Sequence, residues 1–366
     1  MEEDMKQKIK IGILIFTILL NILSWCSRTF SDWYIAKIMP LWIHTYSRFM
    51  SLFPFSVGEK LILLAIFLLM AGIVIFFLGF IKSDKLKTLR RRYWSGISWI
   101  VVIVFLIQTL NCFILYHAST MEEQYFEAAE DYGFEELSSL REDMVKKLNS
   151  LSTRFERDKK GEIIYKGDLY QKCIESMQKL GKKYSNLSGY YPTPKKIYFS
   201  DFMSQQYLSG IYFPFTLEAN YNTSMYITNM PFTICHELAH LKGYIYEDEA
   251  NFIAFMACIE ADEPFLQYSG YLNVLNYVST DYKNSANEKA WNSRTLITKQ
   301  VASDLVFLTD ETWDRINKSS PFSTETVETI SNHVINSSLR LNGVTDGIKS
   351  YHRVVRLLIY YYSRRI

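Results

Sequence analysis

Residues 236–240 read His236-Glu237-Leu238-Ala239-His240, within the longer run Pro231-Phe232-Thr233-Ile234-Cys235-His236-Glu237-Leu238-Ala239-His240-Leu241. On an α-helix, residues four apart lie about 40° apart around the axis and roughly 6 Å apart along it, so both imidazoles can reach one ion. Zinc held by two imidazoles and a third protein ligand keeps a fourth position for water. It lowers the pKa of that water to about 7 and needs a carboxylate nearby to take the proton. Glu237 stands where such a base is required. The chain of 366 residues holds only six histidines, so the pairing is not a by-product of a histidine-rich composition. Thr233, Ile234, Leu238, Ala239 and Leu241 are the uncharged flanks of a buried helix, and Lys242 departs from that pattern.

The third ligand must come from Glu247, Asp248, Glu249 or Glu260. Gly243 is a good stop for the histidine helix, because glycine adopts the left-handed conformation that ends helices. A second helix fits Glu247 to Ala261, with acids in its first turn and Pro264 beyond its end. In such a hairpin, His240 and Glu249 are equally far from a turn centred on Tyr244 and Ile245, which makes Glu249 the expected third ligand. Glu260 is the alternative. It lies about 16 Å further along the helix, so the two cannot share one ion.

Upstream, Ile11 to Trp25, Leu61 to Phe80 and Trp94 to Tyr116 are apolar runs without a charged residue. They read as transmembrane helices at about 9–27, 59–81 and 94–116 in a membrane region 1–116. No small-residue cleavage site follows the first run, which argues against a signal peptide. Lys6, Lys8 and Lys10 precede the first span, and Lys82, Lys85, Lys87, Arg90, Arg91 and Arg92 crowd the loop between the second and third. The positive-inside rule then makes the N-terminus cytoplasmic and everything after Tyr116 extracytoplasmic. Topology accounts for the basic loop without a nucleic-acid partner, and a net charge of +2 points to none. The spans carry amides such as Asn21, Gln108 and Asn111 but no ionisable group, which leaves a transporter nothing to conduct with.

Residues 117–366 are ample for one domain with its own core. The expected fold class is α+β, mostly helical, with a helical lead-in (117–187), a sheet with the active-site helices (188–263) and C-terminal helices (264–366). Helices are expected near Glu135 to Leu151, Asp168 to Tyr184, Ser285 to Leu308, Thr324 to Leu341 and Gly347 to Tyr361. Short strands are expected at Lys196 to Ser200, Gly210 to Leu217 and Ser224 to Thr228, where Tyr, Phe, Ile and Thr concentrate. Pro214 marks the middle one as an edge or bulged strand. Five cysteines suggest no disulfide framework, and Cys235, adjoining His236 but about 100° around the helix, reads as a core residue.

Two histidines and a glutamate on a following helix resemble the gluzincin class of zinc metallopeptidases. Glu249-Ala250-Asn251-Phe252 looks like the Glu-Ala step that carries the third ligand there, while the spacing to Glu260 is the one its well-known members often use. Many gluzincins place an acid one turn after the ligand to orient a histidine. After Glu249 that position is Ile253, so the support would come from Asp248, Glu218 or a backbone carbonyl. The resemblance further implies that an edge strand, here Gly210, Ile211 and Tyr212, pairs with an extended peptide, and that a later Tyr or His steadies the oxyanion. Tyr351 is the candidate for that role, beside His352, with His333 a weaker third.

The chain as a whole resembles a family of uncharacterised bacterial membrane proteins with three N-terminal spans and an extracytoplasmic zincin-like domain. The likeness rests on Pro231 through His240, Glu247 through Phe252, Tyr268-Ser269-Gly270-Tyr271 and Asn342-Gly343 through Tyr351. It implies a multi-pass zinc metallopeptidase of the cell membrane that hydrolyses peptide or protein substrates through zinc-activated water, with Glu237 as general base. The competing expectation is a zinc-binding but catalytically inactive membrane sensor or assembly factor.

Overall fold

The apolar runs form α1 (Glu2–Cys26), α2 (Val57–Leu78) and α3 (Asp84–Gln108), the last continuing through a π-turn (Thr109–Phe113) and a 3₁₀ turn (Leu115–His117). The structure is a computed structural model describing residues 2–81, 83–126, 132–341 and 353–363, without the side chains of 335–341. All three helices are long and apolar enough to cross a membrane. Phe67, Leu69, Met70 and Phe77 of α2 are exposed in the isolated chain, as side chains facing lipid would be. α1 and α3 begin earlier than the apolar pattern suggests. Ion pairs one turn apart, Lys6 to Glu2 and Lys8 to Asp4, support the polar extension of α1.

The chain divides into two compact units. One is Met1–Ala118 with Phe213–Glu218, and the other is Ser119–Tyr212 with Ala219–Ile366. In the first, polar side chains tie the apolar helices together. Asn21 donates to Thr109 Oγ1 at 2.7 Å, Lys10 to Ser98 Oγ at 2.9 Å, and Tyr93 to the Leu68 carbonyl. Between α1 and α2, residues Arg28–Met50 stay helical while alternating α-turns with π-turns at Tyr34–Ile38 and Ile43–Ser47. Pro40, which lacks the amide an α-helix uses, sits between these two π-turns.

The isolated segment of this unit is the tip of a β-hairpin, and each of its ends is tied down. Tyr46 donates to the Phe215 carbonyl at 2.8 Å, Ser47 to the Leu217 carbonyl at 2.9 Å and Asn111 to the Pro214 carbonyl at 2.7 Å. The Glu218 carboxylate accepts from Thr216 Oγ1 and from the Val57 and Gly58 amides, so it caps the N-terminus of α2.

In the second unit, α4 (Phe134–Ser152) buries Leu137, Leu140, Met144, Val145, Leu148 and Leu151 along one stripe. α5 (Leu169–Leu180), capped by Asp168, is followed by a sheet of β1 (Lys195–Lys196), β2 (Gly210–Phe213) and β3 (Glu218–Tyr221) in the order β1-β3-β2. β1 and β3 run parallel, with Lys195 opposite Asn220. Then come α6 (Met230–Leu241), α7 (Glu247–Glu260), α8 (Pro264–Ser285), α9 (Thr324–Leu341) and α10 (Val354–Ser363). α7 is the central helix, with every residue from Asp248 to Ile259 buried. α10 docks on it: Arg353, just before α10, pairs with Asp248 at 2.9 Å, and the Phe252 and Tyr361 rings meet edge to face.

Three expectations need correction. The stretch Lys196 to Ser200 gives only the end of β1 before a short helix at Ser200–Gln205, and Ser224 to Thr228 is no strand but leads into a 3₁₀ turn at Ile227–Asn229. The third strand is instead Glu218–Tyr221, whose Glu-Ala-Asn-Tyr sequence has little intrinsic strand preference and is fixed by its neighbours. The helix expected over Ser285 to Leu308 is two short ones, Glu288–Ser293 and Lys299–Asp304, because α8 ends at Ser285.

A buried ion pair anchors this irregular region. Both Asp304 carboxylate oxygens accept from Arg157, at 2.8 and 2.6 Å, while Tyr268 donates to the same group at 2.7 Å. Asp304→Ala would leave the Tyr268 hydroxyl without its acceptor and the largely buried Arg157 guanidinium without its counter-charge, with only the Gly161 and Ser152 carbonyls to donate to. We expect a loss of about 3–5 kcal/mol of stability, read as a lowered denaturation midpoint.

Candidate metal centre

Local sequence fixes the ends of α6. Pro231 occupies its first turn, where a missing amide costs nothing, and Ser269 Oγ accepts from the Phe232 amide at 3.1 Å. The helix stops as expected at Gly243, whose φ of +100° is the left-handed conformation. The Gly243 amide returns to the His240 carbonyl at 2.9 Å, and Tyr246 then caps α7. Lys242, the residue out of pattern, is buried. Its ammonium donates to the carbonyls of Ser188 and Tyr190 at 2.7 and 3.0 Å and lies 4.2 Å from the Tyr191 ring. Burial lowers its pKa to about 8.

Across this reversal, His236, His240 and Glu247 bring one ligand atom each to within 4.8 Å of one another. Glu247 Oε2 lies 3.1 Å from His236 Nε2, and Oε1 lies 3.8 Å from His240 Nε2. Ligands about 2.0–2.2 Å from a tetrahedral zinc are separated by similar distances, so the three fit such an ion. His240 Nδ1 donates to the Tyr244 carbonyl at 2.8 Å, which leaves Nε2 as the nitrogen with a free lone pair.

Glu249, the expected third ligand, is not in this group, and neither is Glu260. α7 begins at Glu247, so Glu249 is about 200° around the helix from it and points to the opposite side. There its carboxylate accepts from the Met121 amide. Burial, with Asp248 and nearby acids adding to it, pushes its pKa up to about 8. Glu260, three turns on, pairs with Lys183 at 2.6 Å and accepts from Tyr361. The equal-distance picture failed because it treated the turn as symmetric, whereas α6 runs to Leu241 and the first residue of α7 already faces the histidines.

With Glu247 in place, the residue one turn later is Asn251 rather than Ile253. Its side chain lies beside the His236 ring, and His236 Nδ1 and the Asn251 amide nitrogen are both buried without a hydrogen-bond partner. An Asn251 amide turned to present its oxygen would accept from Nδ1–H and fix Nε2 toward the ion. Tyr277 of α8 faces the same Asn251 and Glu247, and burial raises its hydroxyl to about 12. Neither residue had a sequence signal of its own, because both depend on which acid is taken as the ligand. Glu218 serves α2, and Asp248 pairs with Arg353, so neither supports the histidines. Tyr351 and His352 lie outside the described residues, and His333 is exposed on α9.

Glu237 lies under the edge strand. A Cβ at Gly210 would come within 2.7 Å of both Glu237 Cγ and Thr233 Cγ2, so only glycine lets β2 approach this closely. The Tyr212 amide donates to the Glu237 carboxylate, while its Oε2 has no partner. The Tyr212 ring stands 6.4 Å from that of His240. Ile211 is more exposed, on the other face of the strand.

The four ionisable groups respond to shared burial in different ways. Burial, reinforced by the Glu247 charge, pushes Glu237 up to about 8. Burial, together with His236, lowers His240 to about 4. For His236 burial acts downward, but the adjoining Glu247 carboxylate outweighs it and the pKa is raised. Glu247 is held below its ordinary value because the two imidazoles outweigh its burial. A carboxylate that stays ionised next to two imidazole nitrogens is a suitable donor set for zinc, and a neighbouring acid of pKa near neutrality suits proton transfer.

Two measurements check this arrangement. Zinc counted by elemental analysis of the purified chain should be lost in His236→Ala, His240→Ala and Glu247→Gln and retained in Glu249→Gln and Glu260→Gln. Glu249 also predicts a pH effect. Its pKa is raised on folding, so the stability it confers is complete below its unfolded value near 4.5 and is lost as pH rises through about 8. The always-neutral Glu249→Gln should therefore melt progressively higher than wild type between about pH 5 and pH 8.

No curated protein and no solved structure matches this chain. One family model does, over residues 34–359, a span that takes in the second and third apolar helices, the hairpin and the whole His236-His240-Glu247 cluster. The chain therefore belongs to the family described as "Protein of unknown function (DUF3810)".

Proposed function

We propose that this protein is a membrane-anchored zinc metallopeptidase, with His236, His240 and Glu247 as the metal ligands and Glu237 as general base. The observation that carries this reading is the convergence of those three ligand atoms beside a buried, otherwise unoccupied carboxylate oxygen of Glu237. A purely structural zinc site has no use for that carboxylate.

A zinc ion bound there would supply Lewis-acid activation of water and of a substrate carbonyl. The protein groups have separate tasks. The Tyr244 carbonyl holds His240 in the ligating tautomer, and Asn251 with its amide turned would do the same for His236. Glu237 takes a proton from the attacking water and returns it to the leaving amine, for which a pKa near neutrality is well matched. The Tyr212 amide keeps the Glu237 carboxylate in place. The Tyr277 hydroxyl, facing Glu247 and Asn251, is a candidate for steadying the oxyanion. β2 is the edge strand of the sheet, and an extended peptide could lie along it at Gly210, Ile211 and Tyr212.

The three apolar helices support attachment to a membrane, and the distribution of basic residues supports an extracytoplasmic domain. Peptides or proteins outside the membrane would then be the substrates.

The test is cleavage of a broad peptide library by the full chain in detergent, loaded with zinc. Glu237→Gln should retain zinc and lose about 10²–10⁴-fold in rate. A zinc-replete wild type that cleaves nothing would overturn the peptidase reading in favour of a zinc-binding sensor.

A further inference from the structure

The face of α4 changes character toward its C-terminal end. Leu148 and Leu151 still belong to the buried stripe, but beside them Lys147, Ser150 and Arg154 follow one another at three- and four-residue spacing along one side of the chain. Together with Gln267 and Tyr271 of α8 and Ile259 of α7 they line a cavity of about 330 Å³, which lies wholly within the second unit. That is room for a small ligand. The cavity is separate from the histidine cluster, because Ile259 is at the opposite end of α7 from Glu247, about 18 Å along the axis.

The lining is cationic. It carries two positive side chains, Lys147 and Arg154, and no carboxylate. Acids close by in sequence are committed elsewhere: Glu142 pairs with Arg141 at 3.0 Å, Glu156 with Lys166 at 2.7 Å, Glu260 with Lys183 at 2.6 Å and Asp262 with Lys179 at 2.7 Å. Asp143, one turn before Lys147, is outside the lining. Among the described residues, neither Lys147 nor Arg154 has an anionic partner and the Tyr271 hydroxyl meets no protein acceptor. The Tyr271 ring is buried edge-on against Phe255, with centroids 5.8 Å apart, so its hydroxyl is held in position.

Gln267 completes the set differently. Its amide nitrogen donates to the Ala261 carbonyl at 2.8 Å, which leaves the carboxamide oxygen as an acceptor. It stands in the first turn of α8, whose N-terminus no side chain caps, and the partial positive charge there favours an anion. Two cations, hydroxyl donors and one acceptor together match an oxyanion that carries a proton. Carboxylates and sulfate are fully ionised at neutral pH and offer only acceptors, whereas inorganic phosphate retains an O–H.

We propose that this cavity is a binding site for a phosphate group, with the Arg154 guanidinium and the Lys147 ammonium meeting its charge, Ser150 and Tyr271 donating to its oxygens and Gln267 accepting from its O–H. Lys147 and Arg154 also ease the negative end of the α4 dipole, but that role alone needs neither Tyr271 nor Gln267 in the same cavity.

The experiment is equilibrium dialysis of the full chain in detergent micelles against radiolabelled inorganic phosphate, with chloride holding the ionic strength constant. Saturation near one phosphate per chain is expected. Binding should weaken about tenfold in Arg154→Gln and in Lys147→Gln and about threefold in Tyr271→Phe, and stay unchanged in Lys146→Gln, an exposed cation outside the lining. Both lining cations are exposed, so replacing them leaves the packed core intact. Sulfate should compete about tenfold less well, because it leaves the Gln267 oxygen unmatched. Competition by glycerol phosphate marks an esterified phosphate as the occupant, and its failure marks the free ion; either keeps the cavity a phosphate site. His236→Ala, which removes a histidine of the distant cluster, should bind phosphate as wild type does. No saturable binding tighter than about 1 mM would overturn the assignment. So would wild-type binding in both Arg154→Gln and Lys147→Gln, sulfate competing as well as phosphate, or binding lost in His236→Ala alone.

Discussion

The bond from His240 Nδ1 to the Tyr244 carbonyl closes the reversal between α6 and α7, and the rest of the centre depends on that reversal. It fixes the orientation of one imidazole directly. Because Gly243 turns the chain within a few residues, it also brings the first residue of α7 level with both histidines. Had the turn been one residue longer, the face of α7 presented to them would have rotated by about 100°, and a different acid would have faced the histidines. Which acid faces the two histidines is thus a property of the turn more than of the acid.

Burial gives this geometry its chemistry. Four ionisable side chains share a nearly dry space, and a charge there is tolerated only where an opposite charge or a donor meets it. Glu247, facing two imidazoles, stays ionised, whereas at Glu237 burial outweighs the one backbone amide and the nearby His236, so it holds its proton to about pH 8. Two carboxylates within one cluster are driven to opposite protonation behaviour by their surroundings alone. The same principle on the far side of α7 leaves Glu249 neutral around a single backbone amide. α7 can host such contrasts because it is buried on all sides and held by α10 through Arg353 and Tyr361.

The hairpin carries the second set of constraints. Its edge strand is close enough to Glu237 that only glycine fits at position 210, and the tip carbonyls of Pro214, Phe215 and Leu217 accept from Asn111, Tyr46 and Ser47. A short sheet of this kind has little stability of its own. Glu218, a plain acid in the sequence, acquires a structural task at the N-terminus of α2.

Periodicity and residue chemistry settled much of this protein before any contact was known. Three charge-free runs gave the apolar helices, Pro231 and Gly243 bracketed the histidine helix, and His236 and His240 declared themselves because a four-residue spacing places them on one face, with Glu237 next to the first. These features are local, determined by steric and hydrophobic preferences over a few turns. What remained hidden was set by contacts between residues distant in sequence or by the angle of a turn. Such were the placement of Glu247 rather than Glu249 beside the histidines, the nearness of Asn251 and Tyr277 to that cluster, the strand made from Glu218–Tyr221, and the role of Lys242 in holding the Ser188 and Tyr190 carbonyls. A helix pattern repeats every 3.6 residues and is legible anywhere along it, whereas the phase of one helix against the next depends on loop geometry that only the packed structure decides.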